Sequence, residues 1–281
     1  MSPTLRRLLA VLTIVGVVVG LAAFGIHVLF GKLGLPNAEE SRCDLVGTGY
    51  SVSTEQAANA ATVTAVAVRR ELPSRAPVIA LATALQESKL VNVEYGDLDS
   101  VGLFQQRPSQ GWGSAGQILD PRYAAGKFYD RLTRVRGWRT RPLNEVAQAV
   151  QQSGFPEAYS RWEGEATALA RAFSGATAAG VSCRFPAPTV AAKPARVAEL
   201  LGRELAVTTL ATSQRAVELR PAASQGWATA SWLVAHADRL GIDAVGHAGR
   251  RWTRAEGWRD DAGAGADRVR AEVAVIGTTG S

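Results

Sequence analysis

Histidine and cysteine are scarce in this chain of 281 residues. Only 3 histidines and 2 cysteines occur, and no Cys-x-x-Cys or His-x-x-x-His spacing is present. A zinc site built from Cys and His therefore lacks ligands. Gly-x-Ser-x-Gly and phosphate-binding Gly-rich segments are also absent from the sequence, which argues against a Ser-His-Asp hydrolase and a P-loop enzyme. We expect neither a metal nor a cofactor.

The positive charge is spread along the chain. Its 31 basic and 25 acidic residues give a net charge of +6, and the arginines often stand beside acids, as in 69–71 and 259–261. A nucleic-acid-binding surface is expected to show a basic cluster with aromatic side chains, and the sequence has no such run. Nucleic acid is not an expected partner, whereas an anionic cell wall or lipid headgroups are compatible with this charge.

One apolar run, residues 8–30, contains no Asp, Glu, Lys or Arg. Its length of 23 residues exceeds the roughly 20 that a helix needs to cross a bilayer, and Arg6 and Arg7 precede it. Basic residues stay on the cytoplasmic side, so we predict a single-pass transmembrane anchor in the cell membrane, with the N-terminus cytoplasmic and the bulk extracytoplasmic. The alternative is a cleaved signal peptide, whose apolar region is shorter.

Both cysteines, Cys43 and Cys183, follow this run. An even count in an oxidising compartment predicts one disulfide, which would close a loop of about 140 residues and stabilise the fold by about 4–5 kcal/mol. Two separate thiols are the alternative.

The remaining pattern predicts an α+β protein with two units after a spacer that ends at residue 42. Ser53 and Gln56 have the spacing of a capping box. Strands and turns are expected over 90–106, a Pro-rich linker at 186–195, and a small α/β accessory domain at 196–281. Helices are expected at 54–71, 77–88, 121–132, 143–153, 157–173, 196–204 and 226–240, and strands at 206–210, 216–219 and 268–276.

Glu87 is the carboxylate that the sequence singles out. It ends an otherwise apolar helix, ALATALQES, just before the predicted strand-and-turn segment. The partial negative charge at a helix C-terminus and apolar neighbours both disfavour the ionised form, which raises the pKa of such a group toward that of a general acid. From position alone, an ordinary solvated glutamate is the competing interpretation.

The surrounding motifs support the catalytic interpretation. The pair Glu87–Ser88, followed by Gly102–Leu103–Phe104–Gln105, resembles the lysozyme-like lytic transglycosylases and goose-type lysozymes, with Phe104 where their motif has Met. The longer strings YGDLDSVGLFQQRPSQGWG and DPRYAAGKFY resemble lysozyme-like domains of actinobacterial envelope proteins. The resemblance covers about residues 43–185 and implies a mainly helical lysozyme-like domain with a small β-region.

The resemblance implies cleavage of the β-1,4 bond between N-acetylmuramic acid and N-acetylglucosamine in peptidoglycan glycan strands. Glu87 would protonate the leaving oxygen and then act as base, on water or on the muramoyl 6-hydroxyl. Asp97 or Asp99 is the candidate second carboxylate, since glycosidases usually need one; turn formation is the alternative role for both.

Four further residues are candidates for substrate binding. Ser88 matches the serine that orients the family's acid, and Gln105 matches its substrate-facing glutamine, with Gln106 beside it. Trp112 lies in a Gly-rich loop and is a candidate for stacking on a sugar face, although packing in the core is the usual role of a Trp.

Two departures leave alternatives open. Gln151 stands where transglycosylases often carry a Tyr, and Tyr159 is nearby but off register, so the choice between hydrolase and transglycosylase stays open. The segment from 226 resembles the end of a zinc peptidase-like domain, but 267–270 read Asp-Arg-Val-Arg, without its metal-binding histidines. The last domain is therefore interpreted either as a degenerate relative of that domain or as an accessory fold of unknown role. For the whole protein, the alternative to an enzyme is a non-catalytic wall-binding or scaffold protein; its protein partners are unknown.

Overall fold

The computed structural model describes residues 41–151 and 158–274. These residues belong to one compact unit of the α+β class. The helices are α1 Thr54–Arg69, α2 Arg75–Ser88, α3 Ala115–Ile118, α4 Pro121–Leu132, α5 Leu143–Gln151, α6 Glu163–Phe173, α7 Pro194–Leu205, α8 Gly226–Ala235 and α9 Ala237–Leu240. The strands are β1 Arg42–Leu45, β2 Ser51–Ser53, β3 Val181–Arg184, β4 Thr208–Thr212, β5 Ala216–Arg220, β6 Ile242–His247, β7 Arg250–Thr253, β8 Gly257–Asp260 and β9 Val269–Val273.

Local signals define several helix starts as the sequence predicts. Ser53 and Gln56 form a complete capping box at α1, so two free N–H groups of the first turn are satisfied. Asp120 caps α4 by accepting hydrogen bonds from the next backbone amides, and Pro121 occupies the first helical position. The predicted bounds of α4 are confirmed at both ends.

The disulfide is confirmed. Cys43 and Cys183 are bonded across 140 residues of sequence, and they stand opposite each other in the antiparallel pair β1–β3. This pair belongs to a three-stranded sheet of order β2-β1-β3, which the sequence pattern did not indicate. The sheet brings the two ends of the helical region, 42–45 and 181–184, together.

A second sheet has the order β4-β5-β9-β6-β7-β8. Every pairing in it is antiparallel, which corrects the expected α/β unit to an α+β arrangement. The predicted helix at 226–240 is divided at His236 into α8 and α9. The sequence pattern missed β6, β7 and β8.

The helices and both sheets share one core of buried apolar side chains, from Cys43 to Val273. Two tryptophans link the sheets: Trp252 Nε1 donates a hydrogen bond to the carbonyl of Cys183 at 3.0 Å, and Trp258 Nε1 donates one to Val181 at 2.8 Å. The predicted linker at 186–195 joins β3 to α7, which begins at Pro194 within it.

The segment 90–106 contains turns and a single isolated bridge between Val101 and Gln106. It has no strand, which corrects the expectation of short strands there. Across the two described ranges, no helix is both long and apolar enough to cross a membrane. The predicted anchor at 8–30 lies outside the described residues.

Candidate active site around Glu87

Glu87 is the second-to-last residue of α2. The helix ends because Lys89 and Leu90 both adopt positive φ, 58° and 59°, which turns the chain back over the helix end. The carboxyl group is largely buried, and this burial raises the pKa of Glu87, while hydrogen bonds from Tyr159 and Gln151 lower it. Burial is the largest effect, so the net pKa lies above the ordinary value.

Tyr159 is the direct partner of this carboxylate. Its side chain is 0% exposed, and its hydroxyl donates a hydrogen bond to Oε1 of Glu87 at 2.8 Å. The sequence pattern placed Tyr159 off register with the tyrosine that transglycosylases often carry, yet the fold brings it to Glu87. The one sequence signal for Tyr159 was its proximity to Gln151, the position where transglycosylases often carry a tyrosine.

Gln151, which stands where transglycosylases often carry a tyrosine, also lies at Glu87. Its Nε2 donates a hydrogen bond to the carbonyl of Phe104 at 2.6 Å, and its side chain hydrogen-bonds to Glu87. The last residue of α5 therefore links the acid to the turn that carries the Gly-Leu-Phe-Gln motif.

Ser88 joins the same two parts of the chain. Its Oγ donates hydrogen bonds to the carbonyls of Leu103 at 2.8 Å and Ala84 at 3.2 Å. The hydrogen-bond partners of this hydroxyl are thus backbone carbonyls, and it ties the end of α2 to the turn that carries Leu103. Gln86, on the other side of Glu87, accepts hydrogen bonds from Arg161 and Trp162.

Gln105 lies in the turn with φ +47° and is partly exposed. Its Nε2 donates to the carbonyl of Gly102 at 3.2 Å and contacts that of Tyr95 at 3.4 Å. A side chain at Gly96 would collide with Oε1 of Gln105, so glycine at position 96 leaves room for this amide. Tyr95 is 79% exposed, and this loop is therefore open to solvent.

The two candidate second carboxylates differ in environment. Asp97 is exposed. Asp99 accepts hydrogen bonds from Arg107 Nε at 2.7 Å and from the backbone N and Oγ of Ser109 at 2.8 and 3.0 Å. The Arg107 guanidinium holds the pKa of Asp99 well below its ordinary value, with the Ser109 amide acting in the same direction, so Asp99 is ionised at neutral pH.

Gln106 and Trp112 both lie inside the protein, 1% and 3% exposed. Gln106 Nε2 donates a hydrogen bond to the carbonyl of Ala124 at 3.2 Å. The Arg131 guanidinium lies 3.4 Å from the centre of the Trp112 ring, which covers one face of the indole. In this conformation neither side chain presents a surface for a sugar.

The histidines of the second region are packed residues. His236 is 0% exposed and stacks on Trp232 with ring centres 3.9 Å apart; burial lowers the pKa of His236 well below its ordinary value. His247 Nδ1 lies 2.9 Å from the carbonyl of Arg268. Within 41–151 and 158–274, no group of three His, Cys, Asp or Glu side chains could hold a metal ion.

The structure thus joins Glu87 with Tyr159, Gln151, Ser88 and the Gly-Leu-Phe-Gln turn. It gives one partly buried carboxyl group with a raised pKa and a hydroxyl donor against it, which is an arrangement suited to proton transfer. Comparison with models of known protein families and with curated protein sequences gave no match to this chain.

Proposed function

We propose that this protein cleaves the β-1,4 glycosidic bond between N-acetylmuramic acid and N-acetylglucosamine in peptidoglycan, with Glu87 as the proton donor. The observation that carries the proposal is the Glu87 carboxyl, whose pKa is raised by burial and whose Oε1 accepts a hydrogen bond from Tyr159 at 2.8 Å. A carboxyl with a raised pKa keeps its proton to higher pH than an ordinary glutamate and can donate it to the leaving oxygen.

The resulting carboxylate of Glu87 would then serve as base. It would remove a proton from water, which gives a reducing sugar, or from the muramoyl 6-hydroxyl, which gives a 1,6-anhydro sugar. Asp97 and Asp99 stay candidates for the second carboxylate of the hydrolytic route. Among the candidate substrate-binding residues Ser88, Gln105, Gln106 and Trp112, partial exposure favours Gln105 over the buried Gln106 and Trp112.

The proposed location is the outer side of the cell membrane, with 8–30 as a single-pass anchor. The Cys43–Cys183 disulfide supports an oxidising compartment, where peptidoglycan is also found. In this proposal residues 43–185 form the lysozyme-like catalytic domain and 196–281 an accessory domain that positions it or binds the wall.

The test is the release of muropeptides from purified peptidoglycan by the full-length chain in a neutral detergent, with products identified by mass spectrometry. Glu87→Gln is expected to lower the rate by about 10²–10⁴-fold, the contribution of a positioned general acid or base. Glu145→Gln is the matched control, because Glu145 is an exposed carboxylate on α5 that pairs with Arg141; it is expected to keep the wild-type rate.

A non-catalytic wall-binding or scaffold role is the second candidate. It is favoured by the engagement of both Asp99 oxygens by Arg107 and Ser109, which ties this acid into the loop. Equal retention of peptidoglycan by wild type and Glu87→Gln, with no sugar released by either, would overturn the enzymatic proposal in favour of this one.

A further inference from the structure

Helix α7 packs against α1, and cavities flank it. The first, about 450 Å³, lies between the end of α1, the outer face of α4 and the end of α7. A second, about 340 Å³, shares Asp120, Arg122 and Glu204 with it. None of the lining residues belongs to the Glu87 site.

Cations dominate the lining of the first cavity, although they are distant in sequence. The basic residues are Arg69, Arg70, Arg122, Lys127 and Arg203, against the acids Asp120, Asp130 and Glu204. Burial raises the pKa of Glu204, which disfavours its negative charge. The second cavity adds Arg196 and Arg239 without adding an acid.

Part of this charge is already paired. Arg70 bonds to Asp130 at 2.8 Å, and Arg122 lies 3.6 Å from Asp120. Arg203 pairs with Glu199 on its own helix. Within the described parts of the chain, Lys127 forms no ion pair with a carboxylate; its ammonium lies 5.4 Å from the centre of the Tyr123 ring. The cavity therefore keeps an excess of positive charge.

Glycine at position 126 contributes to the shape of the cavity. An added Cβ there would lie 3.1 Å from Nη2 of Arg70, so the missing side chain leaves room for the guanidinium across α4. The volume of 450 Å³ is within the range of small-molecule sites.

We propose that this cavity binds an anion that carries phosphate groups. Guanidinium groups recognise phosphate through paired hydrogen bonds, and a lysine adds a point charge. A phosphate offers more charge and more acceptor oxygens than a carboxylate, which suits several cations around one cavity. The proposal does not depend on the function of Glu87.

The test is isothermal titration calorimetry of the full-length chain in a neutral detergent with two probes. Diphosphate represents a soluble ligand, and a short-chain phosphatidylglycerol below its micelle concentration represents a lipid headgroup. Saturable binding of at least one probe is expected, and the probe that binds more tightly identifies the source of the phosphate.

Lys127→Ala is expected to weaken binding about tenfold, the typical effect of one charged hydrogen bond. Arg122→Ala is a second variant with the same expectation. If one of the two variants fails to fold, the other still tests the proposal. Arg259→Ala is the matched control, because Arg259 is exposed and lines neither cavity. Binding of neither probe, or equal weakening by all three variants, would overturn the proposal.

Discussion

At the scale of single residues, the pKa of Glu87 is set by opposing effects. Burial raises it, and hydrogen bonds from Tyr159 and Gln151 lower it. These donors stabilise the ionised carboxylate, which is the form needed when the group acts as base. Burial stabilises the protonated form, which is needed when it acts as acid, so the two environments serve the two halves of the proposed reaction.

Tyr159→Phe removes the hydroxyl that bonds to Glu87, and the pKa of Glu87 is expected to rise further. A general acid loses activity as pH rises through its pKa. In a plot of the rate of glycan cleavage against pH, the alkaline limb should therefore move to higher pH. The free energy of unfolding should fall by about 0.5–1.5 kcal/mol, the usual cost of one hydrogen bond.

Tyr129→Phe is the control for this substitution. Tyr129 is also 0% exposed, and its hydroxyl donates to the carbonyl of Val63 at 3.0 Å. It should lose similar stability and keep the wild-type pH profile. An unchanged alkaline limb in Tyr159→Phe would show that this hydrogen bond does not control the proton on Glu87.

At the scale of elements, the turn 101–106 connects the end of α2 to the rest of the site. Gly102 has φ +78°, and an added Cβ would lie 2.9 Å from the carbonyl oxygen of Ile118. Both the backbone conformation and the close approach therefore favour glycine at this position. The next residues of the turn hold Ser88 and Gln151 through the carbonyls of Leu103 and Phe104.

Gly102→Ala is expected to cost more stability than Gly47→Ala, measured by denaturant unfolding. Gly47 has the same φ, +78°, but open space around it, so its substitution carries only the conformational cost of about 1–2 kcal/mol. The clash with Ile118 should add about 1–3 kcal/mol in Gly102→Ala. Equal losses of stability in Gly102→Ala and Gly47→Ala would mean that the turn moves to relieve the clash without an energetic cost.

At the scale of the whole molecule, the disulfide and the shared core hold the helical region and the larger sheet together. Cys183 lies in β3, and the carbonyl groups of Cys183 and Val181 accept hydrogen bonds from Trp252 and Trp258 of the larger sheet. The covalent link therefore closes the helical region at the strand that also contacts the second sheet.

Replacing both cysteines by serine is expected to lower the free energy of unfolding by about 2–5 kcal/mol, because the unfolded chain regains the freedom of a long loop. Denaturant unfolding of the double variant and of the reduced wild type should agree. Free thiols in the native, untreated protein would contradict the pairing, and unchanged stability would contradict its proposed energetic role.

The sequence alone determined the features whose interactions are local or covalent. The capping box at Ser53, the start of α4 at Pro121 and the pairing of Cys43 with Cys183 were all predicted and are confirmed. A cap depends on hydrogen bonds within three or four residues, and the helix periodicity reports one face of one element. The helix end beside Glu87 was predicted in the same way, whereas its catalytic role rests on the resemblance of the surrounding motifs and stays a prediction.

Only the tertiary structure decided which side chains meet Glu87 and which are buried. Tyr159 lies 72 residues from Glu87 in sequence, and Gln106 and Trp112 are covered by helix α4, which follows them. The cations that line the first cavity lie on or directly beside α1, α4 and α7, so a chain that lacks any basic run still forms a basic cavity. These residues are distant in sequence and meet only through the packing of helices and strands, so no local sequence pattern predicts their contacts.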